Sequence, residues 1–150
     1  PTAAAGLIHP GSFVPDMTDR RDAILRQVRV RRGQRGFRDA LMRIHGPACM
    51  VSRCGLLAIV EAAHIWPYRG SQDNDPRNGL LLRADLHTLF DLDLMAIHPT
   101  ELIARFHPEA LAHGYHTLDG CRVHLGGRSG LAADLLNERW LAFQHRLSAM

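Results

Sequence analysis

Apolar positions recur along the chain with two periods, and they divide it into helical and extended segments. From Asp19, a suitable N-cap, Ile24, Leu25 and Val28 keep helical spacing until Gly33 interrupts, and Phe37, Leu41 and Ile44 mark a second helix that Gly46-Pro47 stops. Residues 48–51 and 58–65 are short apolar runs with β-branched members, which predict two strands around a turn at 53–55. A polar loop over 68–78, rich in Gly, Ser, Asp, Asn and Pro, leads to a short strand at 80–82. Residues 83–91 read as a helix with Leu86, Leu89 and Phe90 toward a core and His87 and Asp91 on its other face. Residues 95–98 and 102–106 read as a strand pair around Pro99-Thr100, and the glycine-rich stretch 114–130 as irregular or hairpin-like. Ser129 is placed to cap a final helix over 130–147, whose stripe is Leu131, Leu135, Leu136, Trp140 and Phe143. The order predicts an α+β fold.

At 150 residues this is the length of one domain, and 46% apolar residues supply it with a core. Residues 1–18, with Pro1, Pro10 and Pro15 among small residues, read as an extended lead-in or linker, which leaves 19–150 as the domain. No apolar run approaches the roughly 20 residues of a membrane span, so no membrane partner is expected. Residues 1–13 carry neither a basic leader nor an apolar signal stretch, and three cysteines suit a reducing compartment; both predict a cytoplasmic location.

Charge changes the picture more than composition does. All 18 basic residues are arginine; residues 20–43 hold nine of them against Asp22 and Asp39, a local +7, while the rest of the chain sums to −4. A uniformly basic nucleic-acid coat is excluded. One arginine segment on a mildly acidic body remains, and the guanidinium fork suits phosphate. The absence of lysine itself reads as codon composition.

Three polar residues stand out by placement: His64 near a strand end, Asn78 closing the polar loop and His87 on the following helix. Strand, loop, strand and helix in that order fold back as a ββα unit and bring the three toward one cleft. His87 and Asp91, four apart on a helix, project from one face and can take adjacent positions around one divalent cation. His64 lies opposite, where a neutral imidazole accepts a proton from water.

The segment 61–68, Glu-Ala-Ala-His-Ile-Trp-Pro-Tyr, and the segment 78–91, Asn-Gly-Leu-Leu-Leu-Arg-Ala-Asp-Leu-His-Thr-Leu-Phe-Asp, closely resemble the HNH endonucleases, and within them a subgroup found in McrA-like restriction endonucleases. The resemblance covers about residues 30–98, with Arg32-Gly33-Gln34, Phe37-Arg38 and Cys49 upstream, and 139–143 is similar to the family's usual ending. It implies a ββα-metal core at about 58–91, flanked by N-terminal and C-terminal helices. It also implies hydrolysis of DNA phosphodiester bonds, in restriction or defence against foreign DNA, leaving 5′-phosphate and 3′-hydroxyl ends. His64 matches the general base, Asn78 the asparagine that holds the loop and orients it, and His87 a metal ligand. Asp91 stands where some relatives carry a second helical histidine, and a carboxylate there favours Mg²⁺ or Mn²⁺ over Ni²⁺ or Zn²⁺. Many relatives place a ligand immediately before the base, where this chain has Ala63; Asp91, Asn78 or water would then complete the shell.

The resemblance further implies DNA as partner, a homodimer for double-strand cleavage and an upstream DNA-reading domain if the chain is a fragment. Arg31, Arg32 and Arg35 in the basic segment, with Arg69, Arg77 and Arg83 beside the motif, are the expected backbone contacts. Trp66 and Tyr68 read as packing residues before base-stacking ones. A zinc site opened by Cys49 and Cys54 and closed by Cys121, His107, His113 or His116 lacks a second closely spaced pair, so Cys49 reads as a buried strand residue. Two other classes stand beside the enzyme: a catalytically idle DNA-binding module, for which Ala63 is the best support, and a toxin nuclease with a cognate inhibitor.

Overall fold

The computed structural model describes residues 11–66, 74–127 and 130–150. Arg69, Tyr68, most of the loop expected over 68–78, the Ser129 cap and the first ten residues of the lead-in fall outside that range. Helix α1 spans Arg21–Arg32 and helix α2 Arg35–His45. Gly33 parts them at φ 98°, and Gln34 caps α2 by accepting from the Phe37 amide at 2.6 Å. The break must be glycine for a second reason: a Cβ at Gly33 would lie 2.9 Å from the Cβ and carbonyl oxygen of Ala62, so the helix junction rests directly on a strand.

That strand, β1 (Val60–His64), pairs antiparallel with β2 (Gly79–Arg83), with His64 opposite Gly79 and Val60 opposite Arg83. Helix α3 (Ala84–Asp91) follows β2 with no loop, burying Leu86 and Phe90. A second antiparallel pair, β3 (Met95–Ile97) and β4 (Ala104–Phe106), comes next, then the single turn of α4 (Pro108–Leu111) and the closing helix α5 (Ala133–Ser148). The fold is α+β, with a ββα unit at its centre.

A two-stranded ribbon is marginal alone. Here Leu80, Leu81 and Leu82 are fully buried because α2 lies against the hairpin from one side and α3 from the other, while α5 packs on β3. Arg139 of α5 tightens the arrangement: its guanidinium sits 4.6 Å over the Phe90 ring, donates to the Phe90 carbonyl at 2.5 Å and pairs with Asp93 at 3.3 Å. The C-terminal end of α3 is thereby held by a cation where the helix dipole is negative.

Several elements differ from the pattern-based expectation. Residues 48–51 form a turn and not a strand: Arg53 adopts φ 64° and its amide bonds back to Cys49, while the Met50 amide and carbonyl reach Leu81 and His124 singly. The run is apolar because Cys49, Met50 and Val51 plug the core beneath β2, which burial demands in any conformation. Strand β1 starts at Val60, since residues 57–59 wind into a 3₁₀ turn that Arg38 holds through the Leu57 and Val60 carbonyls. Among the described residues of 114–130 there is a 3₁₀ turn at Tyr115–Thr117 and an isolated bridge from Arg122 to Ile103. Helix α1 buries no residue, and Ile24 and Leu25 are about half exposed.

Histidines outside the motif serve as hydrogen-bond acceptors. His107 caps α4 by accepting from the Glu109 amide, and His98 accepts from Glu101 at the turn between β3 and β4. His45, 2% exposed, accepts from the Gly126 amide at 3.1 Å. Burial, aided by nearby His124, holds the His45 pKa below the ordinary imidazole value. The folded state therefore binds fewer protons than the unfolded chain, and stability present above the unfolded value, about 6.5, is lost as pH falls below it. Urea unfolding between pH 7 and 5 should show that loss, and His45→Gln should flatten the slope.

Candidate active site

The pleat of β1 sorts its residues onto two faces. Ala62 and His64 face the α1–α2 junction and α2: Gly33 abuts Ala62, and the His64 ring stacks on Phe37 with centroids 4.5 Å apart and planes 8° from parallel. Glu61 faces α3, where its Oε1 meets His87 Nδ1 at 2.6 Å, and by alternation Ala63 shares that face. His64 thus lies on the side of β1 that Phe37 covers, and the carboxylate that meets the candidate metal ligand His87 of α3 lies on the other.

Phe37 approaches His64 because Gly79, the cross-strand partner of His64, leaves room for its ring. A Cβ at Gly79 would lie 2.5 Å from Phe37 Cζ. Asn74 contributes a polar contact, with its Oδ1 2.9 Å from His64 Nε2. A neutral ring donating there carries its lone pair on Nδ1.

Asn78 is 5% exposed, and its side chain braces the chain leaving β1. Its Oδ1 accepts from the Trp66 amide at 2.8 Å and its Nδ2 donates to the Trp66 carbonyl at 3.3 Å. The Ile65 amide donates to the Asn78 carbonyl at 2.9 Å, so backbone and side chain together fix the segment that follows His64.

On α3, His87 and Asp91 stand as helical spacing requires, with Nε2 and Oδ2 3.5 Å apart. Glu61, its side chain 8% exposed, also pairs with Arg31 of α1 at 3.2 Å, and Arg31 reaches Thr88 at 3.3 Å. A carboxylate on Nδ1 orients the ring and directs Nε2 toward Asp91, the support that a metal-ligating histidine ordinarily has. An imidazole nitrogen and a carboxylate oxygen this close fit one divalent cation, with further positions left to water and substrate. Among the described residues no group of three or more His, Cys, Asp or Glu side chains converges on one point. Cys49, Cys54 and Cys121 are free thiols, and burial raises the Cys121 pKa.

The arginines expected to grip a backbone have diverse surroundings. Arg31 is engaged with Glu61, and Arg83 forms a two-point pair with Asp85 at 2.6 and 2.9 Å, which raises its pKa. Arg77 pairs with Asp75, whose pKa falls to about 2 through the side-chain and backbone hydrogen bonds from Arg77. Arg32 and Arg35 line a hollow beside α2, whereas a hollow of about 840 Å³ around Arg53 and Arg122 touches none of the candidate site residues. Sequence reasoning gave no role to Glu61 or Asn74. Glu61 was recoverable, as a carboxylate inside an apolar strand must have a partner; Asn74 was one of many turn formers in a polar loop.

Residues 49–98, a third of the chain, match a family model described as HNH endonuclease. This supports recognition at the level of the family and leaves the subgroup open. Comparison with curated proteins finds no match.

Asn78→Ala should cost about 1–3 kcal/mol in urea unfolding, the usual penalty for stranding a buried polar group. Asn78→Asp, which keeps an acceptor for the Trp66 amide but sets a carboxylate against the Trp66 carbonyl, should not restore the loss.

Proposed function

We propose that this chain is a metal-dependent HNH endonuclease that hydrolyses DNA phosphodiester bonds, with His64 as general base and Mg²⁺ or Mn²⁺ held by His87 and Asp91. The observation that carries the reading is the Glu61-supported His87 beside Asp91 on α3, packed on the hairpin that ends in His64, within the segment matching the endonuclease family. A divalent cation there would neutralise charge developing on a phosphate oxygen and on the leaving oxygen, and so act as a Lewis acid.

The chain's own residues supply the rest. His64 Nδ1 takes a proton from water as the water oxygen bonds to phosphorus; the bond to the 3′ oxygen breaks, leaving a 5′-phosphate and, after protonation, a 3′-hydroxyl. Phe37 and Asn74 hold the His64 ring, and Asn78 fixes the strand end that presents it. Glu61 keeps Nδ1 of His87 engaged, so that Nε2 is the ligating atom. The role in restriction or defence rests on the sequence resemblance alone, as do a homodimer and an upstream DNA reader.

An idle DNA-binding module is favoured by one observation: Ala63, fully buried on the face toward α3, offers no ligand where many relatives have one. Nicking of supercoiled plasmid decides between the two. Wild type should cleave with Mg²⁺ or Mn²⁺ and not in EDTA, and His64→Ala should slow cleavage by roughly 10²–10⁴-fold while still binding DNA. Intact plasmid with every divalent metal, Ni²⁺ and Zn²⁺ included, would sink the enzyme reading. Glu61→Gln should weaken Mn²⁺ binding by about 10–100-fold, measured by the loss of the free-ion paramagnetic resonance signal.

A further inference from the structure

The break between α1 and α2 encloses a hollow of about 430 Å³ lined by Arg29, Arg32, Arg35 and Arg38 with Gly33 and Asp39. Four arginines and one carboxylate line it. That carboxylate is half exposed, and among the described residues only Arg35 pairs with it, at 3.8 Å through a side chain that is 95% exposed. Arg38 is anchored to two neutral acceptors, the Leu57 and Val60 carbonyls, so its hydrogen bonds leave its charge uncancelled. Burial and the charge of Arg32 both lower its pKa. Arg32 Nε is buried and makes no hydrogen bond, and among the described residues no ion pair involves Arg29, Arg32 or Arg38.

Like charges gathered in a concave site, with a buried donor unsatisfied, are costly unless an anion joins them. Several guanidinium forks around one space match the tetrahedral oxygens of a phosphate better than a single planar carboxylate. Position favours a nucleic-acid source. Gly33, which also lines the hollow, abuts Ala62, which shares a face of β1 with His64 two residues on.

We infer that this hollow seats one phosphate of a DNA strand, at a distance from the phosphate that is cut. The inference rests on the nuclease reading for its substrate and deepens it: Arg29, Arg32, Arg35 and Arg38 form the seat, whereas Arg31, committed to Glu61, stands outside it.

Two measurements test this without cleavage, in EDTA. In the first, inorganic phosphate is titrated into labelled protein and the Gly33 amide resonance is followed; it should shift in wild type and stay fixed in Arg32→Gln. In the second, a fluorescein-labelled duplex is bound over a series of NaCl concentrations. Arg29→Gln and Arg32→Gln should each weaken binding and reduce the log–log salt slope by about 1, one phosphate contact's worth. Arg32→Lys, which keeps the charge, should recover most of the slope, and a native circular dichroism spectrum shows that the variants fold. Arg26→Gln, on α1 outside the hollow, should change the slope less. A phosphate-dependent shift with unaltered DNA slopes would overturn the DNA assignment in favour of a free anion. Equal slope losses in Arg26→Gln and Arg32→Gln, or no shift at all, would overturn the seat itself. Failure of wild type to nick plasmid would count against the nuclease reading alone, because neither measurement involves cleavage.

Discussion

A carboxylate buried inside a strand must be paired, and that requirement at Glu61 organises the centre of the molecule. Its partners come from two directions in the chain: Arg31 from α1 and His87 from α3. Helix α1 buries no side chain of its own, so the Arg31 contact and the Gly33 junction are specific ties that hold it to the body. The same carboxylate orients the imidazole offered to a cation. One ionic cluster therefore attaches the basic segment and orients the proposed metal ligand.

The opposite face of the hairpin is organised by shape. Gly79 admits Phe37, Phe37 supports the His64 ring, and Gly33 admits Ala62. The proposed base lies on the two-stranded ribbon and the proposed ligands on the helix that follows it, so the rigidity of the ribbon matters to each. Helices α2 and α3 cover it, and Arg139 fastens α3 at the end that carries Asp91. The C-terminal helix thus supports the site without contributing a reacting group.

The arginine segment, uniform in sequence, divides by function in three dimensions. Arg31 neutralises Glu61, and Arg38, which secures the entry to β1 through backbone carbonyls, lines with Arg29, Arg32 and Arg35 a space without enough negative charge to balance them. A count of +7 treats these side chains as equal, although burial and the identity of each acceptor set what each can do.

Hydrophobic periodicity by itself determined the helix pair broken at Gly33, the hairpin with its following helix and the closing helix, because helix and strand periods are local properties of the chain. The spacing of His87 and Asp91 was legible for the same reason. Residues 48–51 were misread as a strand because an apolar run reports burial and not backbone conformation. Only the tertiary structure decided that Glu61 holds His87, that Asn74 meets His64, and that Arg31 and Arg32 serve different ends. Those pairings join residues far apart in the chain or lost among similar neighbours, and desolvation sets their worth. Desolvation exists only once the elements have packed.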